Sequence, residues 1–164
     1  MARGLRALQL VTVQNETAWA EALDRMRRSS IVAESPYVGL RPYATTESSL
    51  FVGRERSLEE LLDACSRTRP PRIVMVVGAS GAGKSSLLAA GLIGRGTAPD
   101  GPLSHLNPVQ STVRDLLGWK TPTEATLLVV DQFEELQQLE GTEAGELVDT
   151  LCRLPDHVTC VIGL

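Results

Sequence analysis

The sequence predicts an α/β fold on a parallel sheet, and three observations carry that prediction. Arg72–Val77 (RIVMVV), residues 127–130 (LLVV) and residues 158–162 (VTCVI) are short apolar runs of the kind a sheet covered on both faces requires. Segments with helical spacing lie between them, so strand and helix alternate. Glycine and proline clusters punctuate the boundaries.

Taken in chain order, residues 17–28 place Trp19, Leu23 and Met26 at helical spacing. Arg25, Arg27 and Arg28 sit at the end where the helix dipole favours cations. Residues 34–53 hold Pro36, Gly39, Pro42 and Gly53 with little periodicity and read as an irregular connector. Ser57-Leu58-Glu59-Glu60 is a capping-box signature, after which Leu58, Leu61, Leu62 and Cys65 share a helical face that Pro70-Pro71 ends. The run 72–77 is the first buried strand. A glycine-rich turn follows it, then a helix carrying Leu87, Leu88 and Leu92 that ends at Gly94 and Gly96. Residues 95–106 read as loop. Asn107-Pro108 predicts a further helix, with proline at its first position, Gln110 in capping-box register and Val109, Val113, Leu116 and Leu117 as its apolar face. Gly118 ends it. Residues 127–130 are the second buried strand, 143–153 a helix and 158–162 a third strand.

Composition bounds the function classes. A chain of 164 residues with 43% hydrophobic and 22% charged residues fits one ordinary globular domain. No apolar run approaches the roughly 18 residues of a membrane span, and the N-terminal stretch lacks a signal-peptide pattern, so no membrane partner is expected. Cys65, Cys152 and Cys160 lie among apolar neighbours and read as buried free thiols of a reducing, cytoplasmic protein. Residues 1–56 carry eight basic and six acidic side chains, and residues 57–164 carry eight and fourteen. With six acids and no base in 134–149, a nucleic-acid partner is not expected.

The turn after the first strand, Gly78-Ala79-Ser80-Gly81-Ala82-Gly83-Lys84-Ser85, matches G-x-x-x-x-G-K-[ST] without a mismatch. It stands where the chemistry needs it, between a strand and a helix. Glycines let successive backbone N–H groups converge on an anion, and the helix N-terminus adds its positive end. Lys84 is placed to reach β- and γ-phosphates and the Ser85 hydroxyl to ligate Mg²⁺. A chance match in a chain of this length has odds on the order of a few in a thousand. Of sixteen basic residues fourteen are arginine, so a lysine here is a choice for a compact ammonium over a planar fork.

A phosphate loop needs a second acid for Mg²⁺, normally an Asp ending a neighbouring buried strand. Asp131 fits that position and is the expected metal acid, the lesser alternative being a helix cap. Glu134 and Glu135, taken alone, equally complement the dipole of a helix that begins beside them. A GTPase is disfavoured, because N-K-x-D is absent: the only lysines are Lys84 and Lys120, and Trp119 precedes the latter. DQFEEL does not point to a small-molecule kinase either.

Together, PYVGLRPYATTESSLFVGRE (36–55), VVGASGAGKSSLLAAGL (76–92) and LLVVDQFEEL (127–136) resemble the novel STAND NTPase 1 family over roughly residues 36–164. These are signal-transduction ATPases related to the NACHT and AAA+ families. The resemblance implies the P-loop NTPase three-layer sandwich with a parallel sheet, ATP/ADP and Mg²⁺ as cofactors, and an ATP-driven switch that works through protein partners or self-oligomerisation. It adds Val52, Arg54 and Ser86 to the nucleotide-contacting candidates. It also turns Glu134 and Glu135 into candidate water-activating groups, because Gln132 fills the place that follows the Mg²⁺ acid.

Only residues 86–130 separate Ser85 from Asp131, so an edge strand is expected to be missing, along with a C-terminal lid beyond residue 164. Residues 1–33 are expected to be an N-terminal helical extension or linker, and 34–164 the NTPase domain, truncated at its C-terminus. The leading expectation is an ATP-binding signalling switch, with slow ATP hydrolysis left open. The alternative is a catalytically silent nucleotide-binding or interaction module.

Overall fold

A computed structural model describes residues 8–12, 39, 41–67 and 72–164. Five strands, β1 (Leu8–Thr12), β2 (Arg72–Val77), β3 (Asn107–Ser111), β4 (Thr126–Val130) and β5 (Val158–Gly163), form one sheet in the order β1-β2-β5-β4-β3. Every pairing is parallel, with Met75 opposite Ile162 and Val129 opposite Val161. The expected α/β architecture is therefore present.

Helices cover both faces, which is why β4 and β5 are buried along their whole length. Alternate side chains feed two separate cores. On one face Val74, Val76, Leu127, Val129 and Val161 pack against α1 (Glu55–Arg67) and α2 (residues 84–96). The opening turn of α2, Lys84–Ser86, runs into a π-helical stretch, Leu87–Gly96. On the other face Ile73, Leu128, Val130, Cys160 and Ile162 meet Leu116 of a short 3₁₀ turn and Leu147 and Leu151 of α3 (Glu143–Cys152). Leu61, Leu88 and Leu92 are 0% exposed, and burying a side chain of that size contributes about 1.5–3 kcal/mol.

Several sequence expectations are corrected. Residues 107–111 are not a helix but the edge strand β3, so the edge strand expected to be missing is there. Its sequence NPVQS buries only Ser111, and Pro108 is tolerated because an edge strand has one side without ladder bonds. A 3₁₀ turn, Asp115–Gly118, follows and brings Leu116 into the core. Helix α1 begins at Glu55, so Ser57 is a buried first-turn residue rather than its cap; the Glu55 carboxylate instead accepts the Gly53 N–H at 3.2 Å. Leu8–Thr12, expected in a helical extension or linker, pairs in parallel with β2. The helix expected at 17–28 lies outside the described residues.

Candidate functional site

In a parallel sheet the loops that leave the strands gather at one edge, where α/β folds bind ligands. Here the loops after β2, β4 and β5 surround a cleft of about 600 Å³. From the phosphate loop and the start of α2, Gly78, Ser80, Gly81, Gly83, Lys84, Ser85 and Ser86 line it. The β4 loop contributes Asp131, Gln132 and Glu134, and Leu164 follows β5.

The loop's shape follows from its glycines. Gly81 and Gly83 have φ of +77° and +85°, in the left-handed region that only glycine enters freely. The bend is closed by the Ala82 N–H donating to the Ala79 carbonyl at 3.0 Å. The Lys84 ammonium folds back over the loop, donating to the carbonyls of Gly78 at 2.8 Å and Ala79 at 3.2 Å. A cation thus stands against the backbone of the loop.

Asp131 does not end the neighbour of the phosphate-loop strand, as the sequence suggested; β5 lies between β4 and β2. The carboxylate crosses that gap over Gly163. A Cβ built on Gly163 would stand 2.9 Å from Asp131 Oδ1 and 2.8 Å from Leu88 Cδ1. The missing side chain is the space in which the acid faces the loop. Asp131 also accepts the Gln132 N–H at 3.0 Å, so it orients the next peptide instead of capping a helix. Gln132 has φ +56° and ψ +45°, the only non-glycine with positive φ among the described residues. A 3₁₀ turn, Phe133–Gln138, then carries Glu134 into the cleft wall, while Glu135 is not among the lining residues.

Nine of the fourteen sequence-derived candidates therefore line one cleft: Gly78, Ser80, Gly81, Gly83, Lys84, Ser85, Ser86, Asp131 and Glu134; Val52 is not among the lining residues. Ala79 and Ala82 shape the loop from outside the lining. Arg54 lies beside the loop, with Nη2 3.7 Å from where a Gly83 Cβ would be, yet does not line the cleft. Sequence reasoning missed Gly39, Arg41 and Pro42, which complete one wall, because their segment reads as a connector with no periodicity. It also missed Gly163, whose role depends on which strands are neighbours.

The wall at 41–51 is fastened to α2. The Tyr43 N–H donates to Ser86 Oγ at 3.1 Å, and Arg95 donates from Nε to the Ser48 carbonyl at 2.9 Å and from Nη2 to that of Phe51. Glycines of α2 allow the close approach: a Cβ on Gly94 would meet Ser48 Cβ and the Thr45 carbonyl at 2.7 Å. Gly94, which the sequence suggested as a helix end, is a contact surface.

Among the described residues no three His, Cys, Asp or Glu side chains group as a metal cage. One carboxylate and one hydroxyl, Asp131 and Ser85, are a donor set suited to Mg²⁺, which keeps waters and takes phosphate oxygens. The room left by Gly163 fits that use. Cys65 and Cys160 are buried with thiols pushed up to about 12 by desolvation, whereas Cys152, contrary to expectation, is exposed. No helix among the described residues is long and apolar enough to cross a membrane.

Comparison with protein-family models matches residues 36–106 to the family described as Novel STAND NTPase 1. That stretch holds the 41–51 wall, α1, β2, the phosphate loop and α2. No curated protein and no solved structure matches the chain.

Proposed function

With residues 36–106 similar to that NTPase family, we propose that the chain is an ATP-binding signalling switch module of STAND type. The observation that carries this reading is the convergence of Lys84, Ser85 and Asp131 on one cleft at the carboxyl edge of the sheet. The amides of the loop and the Lys84 ammonium bind the phosphates, and Asp131 with Ser85 would hold Mg²⁺. Bound there, Mg²⁺ supplies neutralisation of phosphate charge. The protein's own part is to orient the phosphate chain and to keep Asp131 aimed over Gly163. Glu134, on the cleft wall, is better placed than Glu135 to take a proton from an attacking water in slow hydrolysis. The module acts in the cytoplasm, through protein partners or self-association.

Calorimetric titration with Mg·ATP and Mg·ADP tests binding. Saturable heats for the wild type that Lys84→Ala abolishes are expected; two flat titrations would overturn the reading. Gln132 in the place after Asp131 favours the second reading, a module that binds nucleotide without turning it over. Loss of a measurable ATPase rate in Glu134→Gln distinguishes the switch with hydrolysis from the silent module, in which no rate exists to lose.

A further inference from the structure

Resting on the nucleotide-binding reading, we propose that Arg41 is a further phosphate-binding residue, reaching the cleft from the 41–51 wall. Arg41 lines the cleft with Lys84 and Ser85, and its side chain keeps 55% of its exposure. Its hydrogen bonds show what it has left to give. Nη1 donates to Glu47 Oε2 at 2.7 Å and to the Pro42 carbonyl at 3.1 Å, and Nη2 donates to Glu47 Oε1 at 2.5 Å. Glu47 thus occupies the end fork of the guanidinium. Nε–H and the second hydrogen of Nη2, side by side on another edge, have no partner among the described residues. That edge is a two-donor fork of the kind that grips two oxygens of one phosphate.

The position of Arg41 is built by the fold. Glu47 also accepts the Ala44 N–H at 2.8 Å, so one carboxylate fixes both the guanidinium and the turn that carries it. Two residues on from Arg41, the Tyr43 N–H is tied to Ser86 Oγ, and the Gly94 contact seats the rest of the wall on α2. Ser86 follows Lys84 and Ser85, the residues assigned to the β- and γ-phosphates and Mg²⁺, along the helix. Arg41 therefore serves the α- and β-phosphates, and its contact is made with ADP as well as ATP.

The test is calorimetry on the full chain with Mg·ATP and Mg·ADP, using wild type, Arg41→Met, Arg41→Lys, Glu47→Gln and Lys84→Ala. Thermal unfolding without ligand checks that each variant folds. Arg41→Met is expected to weaken both nucleotides about tenfold, the scale of one charge-assisted contact. Arg41→Lys should recover less than about half of that loss on a logarithmic scale, because lysine has no fork. Glu47→Gln loosens the wall but removes a competing anion, so its affinity should stay within about twofold of wild type or rise. Arg41→Met binding like wild type, a loss confined to ATP, or an equal loss in Glu47→Gln each overturns the proposal while wild-type binding lost in Lys84→Ala leaves the nucleotide reading standing. Absence of binding by wild type overturns both.

Discussion

The carboxylate of Asp131 occupies space that only a glycine at position 163 leaves open, since a Cβ there would come 2.9 Å from Oδ1. Gly163 ends β5, the strand between the phosphate-loop strand and the strand that delivers the acid. The acid and the loop share a cleft across an intervening strand because that strand ends without a side chain. Gly163→Ala should lower stability by about 1–3 kcal/mol through overpacking against Leu88 and Asp131. Thermal unfolding measures the loss, and titrations with and without Mg²⁺ should show that metal dependence falls more than binding itself.

Gln132 gives a second test. Its left-handed backbone, φ +56°, is strained for a side chain of its type. Gln132→Asn or Gln132→Gly should leave stability equal or higher, whereas the β-branched Gln132→Val should cost about 1–2 kcal/mol. Denaturant midpoints in the three variants check the order. A valine variant as stable as the glycine variant would mean that the turn relaxes out of the left-handed region.

Thr159 is fully buried in β5, and its hydroxyl has no hydrogen-bond partner among the described residues. Thr159→Val keeps the shape and removes the unsatisfied group, so it should stabilise the protein by about 1 kcal/mol. A rise of a few degrees in Tm is the expected reading, and a fall would place a donor or acceptor against the hydroxyl.

The cleft wall carries a pH signature. Glu47 is held at about 2, below its ordinary 4.5, first by its hydrogen bonds from Arg41 and then by the Ala44 N–H. A carboxyl lowered in the folded state stabilises fully above its unfolded value, and that contribution fades as pH falls through the folded one. Between about 4.5 and about 2 the wall should loosen, read as faster proteolysis within 41–51. Glu47→Gln should remove that pH dependence.

The parts legible in the sequence were those whose physics is local. Buried strands at β2, β4 and β5 announce themselves as apolar runs, and the phosphate loop as glycines around a lysine. β3 was hidden because an edge strand needs few apolar residues. Its polar NPVQS, with the turn after it, happens to space Val109, Val113, Leu116 and Leu117 like a helix. Three features depend on neighbours distant in sequence: the place of β5 between β2 and β4, the role of Gly163 and the docking of 41–51 on Gly94. No window of residues contains both partners. Arg41 was overlooked for the same reason, since only the folded wall brings it to the cleft.

The central claim is that the cleft binds an adenine nucleotide with Mg²⁺, and a thermal-shift titration with ATP, ADP and GTP, with and without Mg²⁺, tests it most directly. A ligand that binds only the folded state stabilises it by about 2.7 kcal/mol at a hundred times its Kd. For a chain of this size that predicts a rise in Tm of several degrees. The rise should come with ATP and ADP, be larger with Mg²⁺, be smaller with GTP and vanish in Lys84→Ala. A Tm unmoved by any nucleotide, or moved equally in wild type and Lys84→Ala, would contradict the account.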